Sequence, residues 1–542
     1  MKTQAKRIFW NAMLLSAASL LMRTVGVSFQ VHVSNRVGAE TMGLFSLLSG
    51  VYGFALTLAT SGIHLGVTRL VVEAIGRHET GRIRNVMRRA SLYCILFGAG
   101  AALLLFFFAP IIGECWLKDT RTVSSLRLLA ITLPLISLSS AWSGYFTAVR
   151  RTYKNAAVQV SEQAIKIAAT MYLLAFLIPT GTEGTCCALV LGGAVAEVLS
   201  FLMEAALYFW DRRRHFTDHK VKAASRGEGR ELVGITLPIA FTAYIRSGLI
   251  TLQHILIPQG LRNSGSSHAA ALVAYGSIQS MALPVVLYPA ALISSFSGLL
   301  VPEMAESSVQ NAQKRISYMI CRVFSLALLF SIGVSGILVC FSHELGTLLY
   351  PNTEAGRYIR ILAPLIPIMY LDTATDAMLK GMGEQVYSMK INIADAALSV
   401  LMVYFLVPRY GIGGYLFAIY LSELFNTVMS VTRLLCISQV KVRLFKWVYK
   451  PLFCVVTATA LARWIFASLS GTSVPSAWQA TLHCAVTLGL YILLLLLVRG
   501  IDKEDLSWFS SLFKRGDEEK ASQKELAELL PLKRRRERRA QK

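Results

Sequence analysis

Charge is scarce in this 542-residue chain. Aspartate, glutamate, lysine and arginine make up 16% of it, against about 25% in an ordinary soluble domain. With 54% hydrophobic residues and a mean hydropathy of +0.53, that shortage excludes a soluble globular enzyme. Acids are the scarcer sign, 31 against 54 lysines and arginines. The resulting net charge of +23 does not indicate nucleic-acid binding, because the cations are scattered between apolar segments and form no basic face. Nine cysteines include no CxxC pair. Cys94, Cys321, Cys340 and Cys454 lie in apolar stretches and read as thiols packing like small hydrophobes, while the adjacent Cys186 and Cys187 receive no role. There is no G-x-x-x-x-G-K-[ST] loop, no H-E-x-x-H and no Ser-His-Asp arrangement. No catalytic residue, metal or organic cofactor is therefore expected, and neither is ATP-driven transport by this chain alone.

What the chain has in abundance is apolar segments of about 20 residues, the length that spans a bilayer. Fourteen are expected, from Phe9–Val33 to Trp478–Val498. The intervening loops alternate in charge: one set holds 26 lysines and arginines, the other only 6, namely Arg36, Lys118, Arg121, Arg262, Arg357 and Arg409. By the positive-inside rule both termini are expected in the cytoplasm, with the chain crossing the cell membrane many times. Lys2, Lys6 and Arg7 precede an apolar run without a small-residue cleavage site, so this run is expected to stay as the first helix. Beyond Val498 the chain turns polar and ends near Lys533-Arg-Arg-Arg-Glu-Arg-Arg539, a tail suited to anionic lipid headgroups. Asp517 to Leu530 reads as a short amphipathic helix.

The two halves repeat. Arg23 and Arg246 are 223 residues apart, as are Gln30 and Gln253; Glu73 and Glu303 are separated by 230. Arg127-Leu-Leu-Ala130 with Pro134 matches Arg360-Ile-Leu-Ala363 with Pro367 at 233, and Glu162 matches Asp395 at the same offset. Six helices per repeat give both halves the same orientation, related by an axis along the membrane normal. The expected fold is an all-α polytopic membrane protein of fourteen transmembrane helices. Its parts are an N-terminal lobe (1–210), a basic linker (211–231), a C-terminal lobe (232–437), two additional helices (438–499) and a basic tail (500–542).

Arg23 and Arg246 each lie fourteen residues into a helix, about 21 Å along its axis, too deep to reach the headgroups easily. Two readings stand. Each is a structural arginine paired with a carboxylate or with carbonyls of a neighbouring helix, or the two form an anion site in a central cavity. Gln30 and Gln253 share their helix faces, and Arg69 is a further candidate near the cytoplasmic end of the second helix. Glu162 and Lys166, four apart, are spaced to pair with each other. Asp372 and Asp376 share a helix face, and with Glu162, Asp395, Glu197 and Glu423 they are candidates for coupling protons or sodium.

Several segments carry a family resemblance: Leu56-Thr-Leu-Ala-Thr-Ser-Gly-Ile63, Gly144-Tyr-Phe146 with Gln159-Val-Ser-Glu-Gln163, Met281-Ala-Leu-Pro284, Leu362-Ala-Pro364 and Leu379-Lys-Gly-Met-Gly383. Through them the chain resembles the stage V sporulation protein B group of polysaccharide transporters. That group belongs to the superfamily that also holds MurJ lipid II flippases, O-antigen flippases and MATE multidrug antiporters. The resemblance implies a two-lobed carrier that moves an undecaprenyl-pyrophosphate-linked saccharide, such as a peptidoglycan or polysaccharide precursor, between leaflets. Arg23 fits the arginine of the family's first-helix motif. The expected partners are the lipid-linked oligosaccharide, anionic membrane lipids and cell-wall synthesis enzymes. A proton gradient, a sodium gradient or the membrane potential would drive the cycle. The alternatives are a MATE-like cation-coupled drug exporter and a non-transporting scaffold for cell-wall synthesis.

Overall fold

A computed structural model describes residues 2–60, 62–77, 79–177, 181–215, 228–310, 312–350, 353–440, 445–469, 477–498 and 500. The expected tail and its amphipathic helix, and most of the basic linker, lie outside the described residues. In chain order the helices are α1 (Lys2–Thr60), α2 (Ile63–Gly76), α3 (Thr80–Ile111), α4 (Thr122–Ala148), α5 (Thr152–Leu177), α6 (Gly181–His215), α7 (Glu228–Asn263), α8 (His268–Gly276), α9 (Leu283–Leu287), α10 (Ala290–Val309), α11 (Gln313–Cys340), α12 (Ser342–Leu349), α13 (Thr353–Leu362), α14 (Ile366–Gly381), α15 (Gln385–Ser438), α16 (Lys450–Leu469) and α17 (Ala477–Leu497). Short π-helical turns occupy Ile112–Leu117, Ser277–Ala282 and Phe445–Tyr449.

Among the described residues, eleven helical segments are long and apolar enough to cross a membrane. Two are far longer than one crossing needs. Leu20–Gly76 has 57 residues and Gln385–Ser438 has 54, about 86 and 81 Å of helix, whereas about 20 residues span the hydrocarbon. Each is broken at a glycine outside the helical region: Leu20–Gly76 at Gly38 (φ 80°, ψ 168°) and again at Gly62 (φ 79°) between α1 and α2, and Gln385–Ser438 at Gly411 (φ 57°, ψ −135°). Each is therefore more than one helix, joined at glycines that tolerate positive φ.

Packing follows the two halves of the sequence. One buried cluster draws on the first half, from Ile63 to Tyr208, with Leu232 added. A second draws on the other half, from Leu300 to Leu434, and extends onto α16 and α17 through Cys454, Val455, Ala458, Tyr491 and Leu495. The largest runs from Leu44 to Ala418 and joins the halves. Where they meet, Gly43 on α1 and Gly276 on α8 let two backbones touch: a Cβ added at Gly43 would stand 2.1 Å from the Leu272 carbonyl oxygen, and one at Gly276 2.3 Å from that of Ala39. All nine cysteines are free, with Cys94, Cys186 and Cys454 buried and Cys115 and Cys436 exposed.

Charged clasps bind the halves at both ends. On the face that carries the basic loops, Arg82 of α3 donates to Glu231 of α7 at 2.8 Å. On the opposite face Asp119, only 6% exposed, takes Arg121 at 2.7 Å and His268 Nε2 at 2.9 Å. Arg121 reaches on to Glu40 at 3.1 Å and Thr182 at 2.7 Å, all within the first half. Arg262 Nη1 lies 3.0 Å from His268 Nδ1. A guanidinium can only donate, so Nδ1 accepts and Nε2 carries the proton given to Asp119. Burial by itself would push the Asp119 carboxyl up, but hydrogen bonds from Arg121 and His268 outweigh it and hold it below the ordinary carboxylate range.

Two tests follow from this packing. Gly43→Leu should separate α1 from α8 and cost about 1 to 3 kcal/mol, seen as lower abundance and melting temperature. Gly53→Ala, whose added Cβ would meet nothing within 4 Å, should leave both near wild type. The second test concerns pH. Because Asp119 titrates lower when folded than when unfolded, at about 3.9, its stabilisation is complete above that value and lost as pH falls through the folded pKa. Asp119→Asn should therefore melt lower than wild type at pH 7, and the gap should close below about pH 4; a gap that stays constant from neutral to acid pH would contradict this.

Candidate functional site

The centre of the molecule is built around an interrupted helix. Between α8 and α10 the sequence places Pro284 and Pro289, neither of which has an N–H to give. In an α-helix the Ser280 carbonyl would bond the amide four residues on, but that residue is Pro284, which has none to give. At the second break the amide of Ala291 bonds the Tyr288 carbonyl and that of Leu292 bonds Pro289. These tight turns draw the Ala291 amide away from Leu287. Unmet carbonyls in a dry interior each cost about 1 to 3 kcal/mol.

Side chains from distant helices meet them. Gln30 Nε2 donates to the Ser280 carbonyl at 3.0 Å, and Arg23 Nη2 donates to that of Leu287 at 3.0 Å. Tyr350 Oη donates to Met281 at 3.1 Å and Tyr370 Oη to Val286 at 2.9 Å. Thr24 Oγ1 lies 2.9 Å from Tyr288 Oη, and the Ser46 and Ser280 hydroxyls are hydrogen-bonded to each other. Both Arg23 and Gln30 therefore use helix carbonyls as partners, one of the two readings open to Arg23 from sequence.

The same two side chains also line a cavity of about 350 Å³ with Gly26, Gln163, Lys166 and Thr170 among its other walls. Arg23 remains exposed and keeps donors beyond the one given to Leu287. Lys166 forms no ion pair with Glu162, whose carboxylate instead accepts from Ser200 at 3.1 Å. Two cations and two carboxamides thus face one chamber between α1, α5 and α6. Sequence spacing had suggested a Glu162–Lys166 pair, so it passed over Lys166 and Gln163 as cavity residues. The usable signal was the repeat: at the offset of 233, Lys166 corresponds to Ser399 and Gln163 to Ala396.

The other candidates fall elsewhere. Arg246 is exposed on α7 and stands outside the lining of this cavity; its charge interacts with Asp395. Gln253 is half-buried on the same helix. Arg69 pairs with Glu73 at 3.1 Å, with two-thirds of its side chain exposed. Asp376 is held by Lys380 at 2.5 Å and by Ser388. Asp395 accepts from Ser422 at 2.6 Å. Asp372 receives Asn426 Nδ2 at 3.4 Å, yet its Oδ1 and the Oδ1 of Asn426 are buried without a hydrogen-bond partner. Glu423 lies within electrostatic range of Asp372 and Asp395. In the first half, Tyr52 joins Thr132 at 2.8 Å to Glu197 at 3.3 Å. No group of three or more His, Cys, Asp or Glu arranged to hold a metal occurs among the described residues.

Comparison with known proteins places this architecture. Residues 8–292 match the family described as polysaccharide biosynthesis protein, and residues 264–405 match the MatE family. The chain is 25% identical to stage V sporulation protein B of Bacillus subtilis (strain 168) over 512 residues, covering 93% of this chain and 98% of that protein. Among solved structures it resembles lipid II flippase MurJ in an inward closed conformation, with a TM-score of 0.66 at 12% identity over 93% of this chain and 99% of that one. It also resembles a multidrug resistance MATE family transporter of the MOP superfamily in an inward-facing conformation, with a TM-score of 0.60 at 13% identity over 79% and 99%. The fold is the all-helical, two-lobed membrane architecture of these transporters. With 285 of its 542 residues inside the first match, the chain belongs to the polysaccharide biosynthesis protein family.

Proposed function

We propose that the protein carries a polyprenyl-pyrophosphate-linked saccharide between the leaflets of the cytoplasmic membrane, with both termini in the cytoplasm. The observation behind this is the chamber that holds Arg23 and Lys166 together with Gln30 and Gln163. Moving a pyrophosphate and sugar hydroxyls into hydrocarbon without partners costs several kcal/mol per group. A guanidinium and an ammonium in a sheltered chamber replace the lost hydration, while carboxamides suit the neutral sugar. The prenyl tail stays in lipid. Because Arg23 also tethers the Leu287 carbonyl, a phosphate drawn to Arg23 competes with that tether and couples headgroup binding to the broken helix.

Rocking of the two halves then passes the headgroup from the basic face to the opposite one. With the interior negative, carrying about two negative charges outward releases roughly 4 to 5 kcal/mol per 100 mV. Asp395 and Asp372 are the candidate sites for a proton or sodium ion that resets the empty carrier. The lipid-linked saccharide, anionic headgroups at the basic loops and cell-wall synthesis enzymes are the proposed partners. A cation-coupled drug exporter is the second reading; it draws on the half-satisfied carboxylate–carboxamide pair Asp372 and Asn426.

Reconstitution in liposomes with a fluorescent lipid-linked saccharide tests this, reading headgroup arrival at the far leaflet. Lys166→Met, which keeps the side-chain length, should reduce transport about 10- to 100-fold, the worth of one charge-assisted contact of 1.5 to 3 kcal/mol. Arg23→Ala should do at least as much. Transport that survives both substitutions at normal abundance rejects the anion chamber, and drug efflux that tolerates both would favour the exporter. Asp395→Asn should remove dependence on an imposed ion gradient and leave binding of the saccharide intact.

A further inference from the structure

A second, larger cavity of about 510 Å³ opens between the halves, walled by α1, the π-helical turn after α3, and α7. Its floor is apolar: Phe54 of α1 faces Leu252, Ile255 and Leu256 of α7, with Gly248 at one end. At the other end stand Trp116, Lys118 and Gln259. Gln259 donates its carboxamide N–H to the Trp116 carbonyl and ties the rim together.

The dimensions are informative. Gly248 and Gln259 are eleven residues apart on α7, about 16 Å of helix, which is half of the roughly 30 Å hydrocarbon thickness. The groove is thus one leaflet deep. Its rim carries the exposed cation Lys118 and the Trp116 indole, 53% exposed, the two residue types that mark headgroup depth. Gly248 keeps the deep end open, since a Cβ there would meet only the edge of the Phe54 ring, at 3.5 Å.

We propose that this groove is a binding site for an anionic glycerophospholipid of the leaflet opposite the basic loops, one acyl chain lying along α7 and the phosphate at Lys118. Depth, apolar lining and a single cation at the rim together select a phospholipid monomer. A prenyl chain several times one leaflet in length would overrun the groove. Because the walls belong to both halves, the lipid is a removable wedge between them, and any rocking that closes the gap must expel its chain. The site does not depend on which headgroup the carrier transports.

The test uses the full-length protein in phosphatidylcholine nanodiscs containing phosphatidylglycerol with a diazirine near the end of one acyl chain, followed by photolysis and peptide mapping. Labelling should concentrate on Phe54 and residues 248–256, well above that of the exposed residues Leu493 and Leu496 of α17. Gly248→Leu should fill the deep end and reduce groove labelling about tenfold, the effect of losing about 1.4 kcal/mol. Lys118→Glu, an exposed change that leaves the fold intact, should lower phosphatidylglycerol labelling about fivefold, as for a surface ion pair of about 1 kcal/mol, and leave labelling by the matching phosphatidylcholine probe unchanged. Even labelling over all lipid-facing helices, indifferent to Lys118→Glu, overturns the proposal in favour of ordinary annular lipid. Displacement of the probe by stoichiometric polyprenyl phosphate overturns it in favour of a carrier-lipid tail.

Discussion

A membrane interior offers no water to an open peptide group, and the arrangement of this protein is organised around that deficit. The prolines between α8 and α10 leave carbonyls that no amide of the same helix can reach. Gln30 and Arg23 reach two of them, on Ser280 and Leu287, and Tyr350 and Tyr370 bond the neighbouring Met281 and Val286 carbonyls, from up to 264 residues away in sequence. Each such bond offsets a cost of about 1 to 3 kcal/mol where the carbonyl is shut away from water, which favours these helices as the neighbours of the interruption. The same convergence brings an arginine to the wall of a chamber. Structural satisfaction and the proposed ligand binding draw on one side chain, whose guanidinium has donors beyond the one given to Leu287.

The repeat supplies a symmetric scaffold whose electrostatics are not symmetric. Glu162 and Asp395 occupy matching positions, each hydrogen-bonded to a serine on the following helix, Ser200 and Ser422. Beside Glu162 the first half adds Gln163 and Lys166, whereas the second has Ala396 and Ser399. Arg23 accordingly shares its chamber with another cation, while Arg246 sits near the carboxylate of Asp395. Of two arginines that match in sequence, Arg23 lines a chamber beside Lys166, and Arg246 lies exposed on α7 within electrostatic range of Asp395. The charged clasps at the two ends, Arg82 with Glu231 and Asp119 with His268, hold the halves together across both faces.

Much of this was legible in the residues. Apolar length and the 26-to-6 loop charge bias gave a many-pass helical protein, and the offset repeats gave two halves. Arg23 and Gln30 were recognisable as a pair because a buried arginine in an apolar helix demands a partner. Identifying that partner was beyond sequence, since Pro284 reveals that a carbonyl is left open and says nothing of which helix supplies the donor. Lys166 was hidden by a spacing rule: four residues from Glu162 on one helix, it looked paired, but Ser200 on α6 takes the carboxylate. Arg69, a substrate-binding candidate, and Asp376, a candidate for a coupling ion, pair with Glu73 and Lys380 one turn away.

Sequence by itself determined helices long enough to span hydrocarbon, a loop charge bias of 26 to 6 and two halves that match at repeated offsets. Those properties are written in side-chain polarity and in the order of residues along the chain. Tertiary structure decided which cations meet a cavity and which meet a carboxylate. A charged side chain settles wherever its cost of burial is best offset, and the groups that offset it lie tens to hundreds of residues away.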